Sequence, residues 1–335
     1  RVDFSISFLF KADELNFNVG VNNHNGDHEK MAQIESAIGI GWVREGSRFM
    51  SIDHVENGKY RMSEKSMNII RAYKNIGMKY MQESRPLWYE VNHWLNGPTW
   101  KQAYGAGGLP RDDKEAEEYA QITADFVDQA KGLIDNLEIF NEPDISDQNH
   151  VSTAQWKNIV DRVVEKCRKI DPDMDISGLA MTDLVLQKSF YENGGLENLD
   201  QNTQHRYDWS GVFDPWKFAY LEPRSFLDLQ NQYKEMPMWM TEVGFISQDI
   251  HQPGNLHDKK AWSSVFPEGV PRHIHARNFT LCTAAFNGWG LYNKWFWHTA
   301  TDFSDPTERE DCFGIFNTCY EDTDFIYTPY TAKPA

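Results

Sequence analysis

The chain has 335 residues, of which 40% are hydrophobic and 14% aromatic, and its formal net charge is −17 at pH 7. This length suits one large domain or a decorated barrel, and the apolar content is enough for a sizeable core. The negative charge argues against a nucleic-acid partner, and weakly against an anionic substrate or membrane surface, because such partners attract clustered Lys and Arg. The sequence has no run of about 18 apolar residues, so no membrane insertion is predicted.

The first residue and the cysteines carry limited information. Residue 1 is Arg and no signal-peptide pattern follows it, so we expect a mature form or an excised part of a longer chain. Cys167 and Cys282 fall on apolar faces of predicted helices and are expected to be buried thiols. Cys312 and Cys319 flank a short loop-like segment, where they can either bridge or stay reduced.

Strand and helix patterns alternate along most of the chain. Short apolar runs predict strands, and apolar residues at helical spacing predict the helices between them. The predicted strands are 18–22, 41–46, 78–82, 137–140, 174–180, 203–207, a seventh that ends at Glu242, and 291–297. The predicted helices are 29–38, 63–76, 113–131, 153–170, 184–192, 223–235 and 271–287.

Eight alternating units predict an α/β fold, a (β/α)8 TIM barrel over residues 18–300. An open doubly wound sheet is the structural alternative, but no Gly-rich dinucleotide or phosphate loop supports it. Residues 1–17 form an N-terminal extension whose segment 2–8 alternates like a strand, and residues 301–335 resemble a loop and hairpin. No helix pattern follows the eighth strand. We therefore expect the last barrel helix to be missing, and the two chain ends to build a small accessory sheet.

Two glutamates stand where predicted strands end. Glu142 lies in Asn-Glu-Pro after the fourth strand, and Glu242 lies in Thr-Glu-Val-Gly at the end of the seventh. Loops at the carboxyl ends of barrel strands carry the chemistry of this fold. Two carboxylates across one bond are what glycoside cleavage requires, since one exchanges a proton and the other attacks carbon.

Several motifs in the right order resemble those of the clan A glycoside hydrolases, the retaining (β/α)8 enzymes of families such as 5, 39 and 79. The resemblance covers about residues 18–335. The motifs are Trp42-Val43-Arg44, Asn141-Glu142-Pro143, His205-Arg206-Tyr207, Thr241-Glu242-Val243-Gly244, Phe313-Gly314-Ile315 and Lys333-Pro334-Ala335. Family 5 often has a His after the third strand, whereas this chain has Gln82-Glu83-Ser84-Arg85.

The resemblance implies a role for each matched residue. Glu142 would be the general acid and base, and Glu242 the nucleophile. Arg44 would keep Glu242 ionised, and Tyr207 would donate a hydrogen bond to it. Asn141 would hold the sugar 2-hydroxyl, while His205 would contact the substrate.

Loop aromatic residues predict the substrate cleft, because apolar faces of sugars stack on aromatic rings. Trp88 and Trp94 lie in the long loop after the third strand. Trp297, at the end of the eighth strand, is the predicted platform under the cleaved sugar, and Trp295 shares its strand face. His24, near the end of the first strand, is a further candidate contact.

The predicted function is cleavage of β-linked oligo- or polysaccharide by double displacement, with no cofactor. Such a substrate implies a secreted, periplasmic or cell-surface location. One alternative is a metal-dependent barrel hydrolase, for which His24, Asp27, His28 and His298 lie near strand ends without a metal-type spacing. The other is a non-catalytic sugar-binding barrel. The sugar, the linkage and endo or exo action stay open.

Overall fold

Eight parallel strands close into a barrel in the computed structural model of the protein. The structure describes residues 14–23, 27–45, 52–84, 109–146, 150–208, 214–245, 272–300, 314, 316–317 and 331–332. The barrel strands are β1 (Asn16–Asn22), β2 (Ile40–Glu45), β5 (Lys79–Ser84), β6 (Asn136–Ile139), β7 (Asp175–Met181), β8 (Gln201–Asp208), β9 (Met238–Phe245) and β10 (Lys294–His298). Each strand pairs in parallel with the next one in the chain, and β10 closes the barrel on β1.

Helices surround the barrel in the expected alternation. They are α1 (His28–Ala37), α2 (Glu64–Lys74), α3 (Asp113–Gln129), the single turn α4 (Pro143–Ser146), α5 (Thr153–Ile170), α6 (Leu184–Glu192), α7 (Glu222–Gln230), which a π-helix at Lys217–Leu221 precedes, and α8 (Arg272–Trp289). Several of them begin at a side-chain cap. Asp27, Ser63, Asp112, Ser152 and Asp183 each accept a hydrogen bond from a backbone N–H of the first turn, which satisfies a donor that the helix itself leaves unpaired.

The two faces of the strands build two cores. Outward-facing residues pack under the helices and form the large core, which includes Cys167 and Cys282 as buried free thiols, as predicted. Burial raises the pKa of the Cys167 thiol to about 12. Inside the barrel, Trp42, Met81, Trp239 and Phe296 form a separate apolar layer.

At Gly20 in β1 there is no space for a side chain. A Cβ atom built there would lie 2.3 Å from Cδ1 of Phe296, far inside van der Waals contact. The inner apolar layer is therefore packed against bare backbone on β1. Gly20 is required because Phe296 fills the space that its side chain would occupy.

The (β/α)8 prediction is confirmed, with strand and helix boundaries close to those expected. Two elements were not predicted from the sequence: an antiparallel hairpin after β2, formed by β3 (Ile52–Glu56) and β4 (Lys59–Met62), and the π-helix. Near the chain end, β11 (Phe316–Asn317) pairs antiparallel with β12 (Thr331–Ala332). Residues 2–8 and 324–330, Cys312 and Cys319 lie outside the described residues. Among the described helices, none has both the length and the apolar character needed to cross a bilayer.

We predict that Gly20→Ala destabilises the fold by about 1–3 kcal/mol, because the added methyl group overpacks the inner layer against Phe296. Denaturant unfolding measures the change. Gly288→Ala is the matched control, since nothing lies within 4 Å of a Cβ there. Equal stability of the Gly20→Ala variant and the wild type would contradict the packing described here.

Candidate active site

Glu142 and Glu242 come together at the carboxyl ends of β6 and β9. One oxygen of Glu142, one oxygen of Glu242 and a ring nitrogen of His205 all lie within 4.8 Å of one another. The turn after β6 takes Phe140 and Glu142 into the left-handed region, with φ of +68° and +49°. Such backbone is costly for residues with a side chain, and it concentrates at functional sites. Here it accompanies the placement of the Glu142 carboxylate beside Glu242.

A local irregularity in β9 turns two consecutive side chains inward. Met240 is level with Gln204 of β8, but the next β8 residue, His205, is level with Glu242. The strand therefore has one extra residue, Thr241, and the pairing with β10 shifts over the same stretch. Such a bulge re-aims side chains. The Thr241 hydroxyl donates to Glu138 Oε1 at 2.6 Å, while Glu242 points to Arg44.

Arg44 is the central hydrogen-bond donor of the site. Its side chain is fully buried, with Nε 2.6 Å from Glu138 Oε2 and Nη1 2.6 Å from Glu242 Oε1. Nη1 also donates to Asn22 Oδ1 and Nη2 to Asn141 Oδ1, both at 2.8 Å. Burial acts to lower the pKa of Arg44, but the surrounding carboxylates raise it. The guanidinium is therefore a permanent charge whose planar fork fixes four neighbours at once.

Tyr207 and His205 complete the surroundings of the two carboxylates. The Tyr207 hydroxyl donates a short hydrogen bond to Glu242 Oε2. Burial and the nearby carboxylates raise the pKa of Tyr207 well above its ordinary value, so it stays a donor. His205 Nδ1 lies 2.9 Å from Glu142 Oε1 and 3.5 Å from Glu242 Oε2. Burial opposes protonation of His205, but Glu242 and Glu142 raise its pKa overall.

The predicted contacts of Arg44 and Tyr207 with Glu242 are thus confirmed. Asn22 and Glu138, which accept hydrogen bonds from Arg44, were not predicted as site residues. Glu138 was hidden inside an apolar run. A charged residue within a buried strand was the signal that could have exposed it, since a buried charge needs a partner.

The prediction for Trp297 and Trp295 is wrong. Both side chains face outward from β10 and are 2% exposed. Trp297 packs edge-on against Phe279 of α8, with ring centroids 4.6 Å apart, and Trp295 packs against Phe286 of the same helix. Neither ring can form a floor for a sugar, because both are covered by the helix layer.

The inner face of β10 ends instead in His298, two residues beyond Phe296. Its Nδ1 lies 3.5 Å from Glu242 Oε2, and its ring meets the Tyr207 ring edge-on at a centroid distance of 5.6 Å. Burial lowers the pKa of His298 to about 4, and Glu242 offsets this in part. The side chain is therefore neutral at neutral pH.

The other predicted contacts divide into two groups. His24, Trp88 and Trp94 lie outside the described residues. His28, considered for a metal site, instead starts α1 with its Nδ1 3.2 Å from the Tyr73 hydroxyl. In the part of the chain that the structure describes, the group of three side chains spaced to hold a metal ion consists of Glu142, His205 and Glu242.

Comparison with solved structures identifies the architecture. A family 39 glycoside hydrolase from Bacteroides cellulosilyticus superposes with a TM-score of 0.59 at 19% identity, covering 90% of this chain and 60% of that one. An endo-1,4-β-D-mannanase from Thermotoga petrophila gives 0.55 at 12% identity, covering 84% and 87%. A β-xylosidase from Caulobacter crescentus gives 0.58 at 15% identity, covering 90% and 64%. The chain shares the (β/α)8 barrel fold of these glycoside hydrolases.

The likeness is one of fold rather than of sequence. No protein-family model and no curated protein matches the chain. The chain also spans less than two thirds of the length of the family 39 enzyme and of the β-xylosidase. In this barrel β6 and β9 are the fourth and seventh strands, and they bring Glu142 and Glu242 together.

We predict that Arg44→Ala lowers the free energy of unfolding by about 3–5 kcal/mol, because it leaves buried carboxylates without their cation. Arg44→Lys keeps the charge but not the fork, and should fall between the wild type and Arg44→Ala. Denaturant unfolding is the measurement. Arg206→Ala is the control, since Arg206 pairs with Glu222 in a partly exposed bridge that should contribute about 1 kcal/mol or less. An equal effect of Arg44→Ala and Arg206→Ala would refute the central position of Arg44.

Proposed function

We propose that the protein is a retaining glycoside hydrolase that cleaves β-linked oligo- or polysaccharide through a covalent glycosyl-enzyme. The observation that carries this proposal is the approach of Glu142 and Glu242 to within 4.8 Å, oxygen to oxygen. Retaining enzymes hold their two carboxyl groups about 5–5.5 Å apart, whereas inverting enzymes need about 6.5–9.5 Å to admit a water. The spacing favours direct attack by a carboxylate on the sugar.

The environments of the two glutamates suggest their roles. Glu242 accepts hydrogen bonds from the Arg44 guanidinium and the Tyr207 hydroxyl, and both contacts favour the ionised form that a nucleophile needs. Glu142 faces His205 and is about one fifth exposed. A general acid must exchange protons with solvent and leaving group, and the partly exposed Glu142 suits that role better.

Substrate binding follows from the same arrangement. Arginine has no acceptor, so its hydrogen bond fixes the Asn141 oxygen toward Nη2 and turns the amide nitrogen away from Arg44. That nitrogen can then donate to the sugar 2-hydroxyl, a contact that strengthens in the transition state. The solved relatives named as a mannanase and a β-xylosidase support a carbohydrate substrate, since both act on β-linked sugars.

The spacing of Glu142, His205 and Glu242 makes a metal-dependent hydrolase the second candidate. Against it, both oxygens of Glu242 already accept hydrogen bonds, one of them from a guanidinium cation. A metal ion bound there would lie beside a permanent positive charge in a buried site, which is electrostatically unfavourable. The two-carboxylate mechanism needs no such cation.

We predict different losses for the two glutamates. Glu242→Ala should lower the turnover rate about 10⁴-fold or more on every glycoside, since no nucleophile remains. Glu142→Ala should lower the turnover rate on natural substrates about 10²–10⁴-fold. On an aryl glycoside with an activated leaving group, the rate of glycosyl-enzyme formation should change little, because that leaving group needs no proton. Azide should rescue Glu142→Ala and give a glycosyl azide of retained configuration. The measurements are rates on a panel of polysaccharides and aryl glycosides.

Glu165→Ala is the matched control, because it removes one exposed carboxylate on α5 and should leave activity unchanged. Equal losses for Glu142→Ala and Glu242→Ala on the activated glycoside, with no azide effect, would reject the assignment. Loss of wild-type activity on chelation would favour the metal-dependent candidate. Sugar binding without release of reducing ends from any substrate would favour a non-catalytic binding barrel.

A further inference from the structure

The end of β10 presents a polar ring where an aromatic platform was expected. The alternation of the strand sends Trp295 and Trp297 outward to α8 and leaves Phe296 and His298 on the inner face. Phe296 belongs to the inner apolar layer, with Trp42, Met81 and Trp239. The last inward side chain of the barrel's eighth strand is therefore an imidazole.

His298 lies close to the nucleophile candidate and is partly exposed. Its Nδ1 is 3.5 Å from Glu242 Oε2, and 12% of its side chain is exposed, compared with none of Arg44. Its ring is held edge-on by the Tyr207 ring, at an interplanar angle of 89°. The His298 ring therefore lies beside the carboxylate that a sugar would have to approach.

The charge state of the ring limits what it can recognise. Burial keeps the pKa of His298 near 4, with a further lowering from His205 and Arg44 that opposes the raising effect of Glu242. The neutral ring offers one N–H donor and one nitrogen acceptor. Arg44 already donates from Nε, Nη1 and Nη2 to other residues of the site. Among these described groups, His298 can therefore hydrogen-bond a sugar hydroxyl. The Arg44 cation is already paired with protein carboxylates and does not offer a partner to a sugar carboxylate.

We propose that His298 determines sugar specificity, as a hydrogen-bonding floor that favours a neutral pyranose with an axial hydroxyl directed at β10. An aromatic floor packs against a ring face that carries only C–H groups. Equatorial hydroxyls lie near the mean plane of the pyranose ring, whereas an axial hydroxyl stands out from it toward the floor. A site that hydrogen-bonds a substrate hydroxyl discriminates against the analogue that lacks this hydroxyl.

This inference rests on the proposed function and concerns the sugar bound beside Glu242. The test compares kcat/KM for aryl β-glycosides of gluco, galacto and manno configuration with one activated leaving group. The wild type should prefer a sugar with an axial hydroxyl, galacto or manno, over gluco by about tenfold or more. His298→Phe should reduce that ratio about tenfold, mainly through slower reaction of the preferred sugar. His298→Gln, which keeps a donor and an acceptor, should retain most of the preference.

Trp297→Phe is the matched control, because it changes a ring on the same strand that faces α8. It should lower the melting temperature and leave the sugar ratio unchanged. A wild type that prefers gluco, or a ratio that His298→Phe leaves unchanged while the protein stays folded by circular dichroism, would overturn the inference and leave the two-glutamate mechanism standing. Absence of turnover for all three sugars, with Glu242→Ala no different, would instead reject the proposed function.

Discussion

The buried guanidinium of Arg44 is the interaction on which the site depends. It faces three carboxylates, those of Glu138, Glu242 and Glu83, whose nearest oxygens lie 2.6, 2.6 and 3.9 Å away. Placing several carboxylates inside a barrel is expensive unless a cation and directed hydrogen bonds compensate. One planar guanidinium interacts with all three carboxylates. The contacts that offset the cost of burying Glu242 therefore also fix the position of its carboxylate.

The backbone supplies what Arg44 alone cannot. The extra residue Thr241 in β9 lets one side chain anchor to Glu138 while the next reaches the guanidinium. After β6, left-handed backbone at Glu142 accompanies its approach to His205 and Glu242. Both local departures from regular structure occur at the two glutamates. They position the two carboxylates, and small displacements of reacting groups change reaction rates strongly.

The sequence allowed the barrel and much of the site to be predicted, for identifiable reasons. Buried strands and amphipathic helices leave strong periodic signals, and a glutamate one or two residues before a chain breaker, here Pro143 or Gly244, marks a strand end. Arg44 was identified through the resemblance of Trp42-Val43-Arg44 to the motif of the clan A glycoside hydrolases. The hairpin of β3 and β4 left a weaker signal, since its residues are mostly polar and partly exposed.

Which side chains of β10 point into the barrel could not be predicted in the same way. Residues 295, 296 and 297 are all aromatic, so hydrophobicity does not tell the inner face from the outer one. A shift of one residue exchanges every side chain between faces. Only the pairing of the strand, with Gly20 leaving space for Phe296, determines that Trp297 turns to the helices and His298 to the site.

The most direct test of the account is to trap the glycosyl-enzyme. The protein is incubated with 2-deoxy-2-fluoro glycosyl donors that carry a good leaving group, in gluco, galacto and manno configuration, and its peptides are analysed by mass spectrometry. We predict one added fluorosugar, bound to Glu242, in the wild type and none in Glu242→Ala. A sugar attached to another residue, or wild-type turnover that yields products of inverted anomeric configuration, would contradict it.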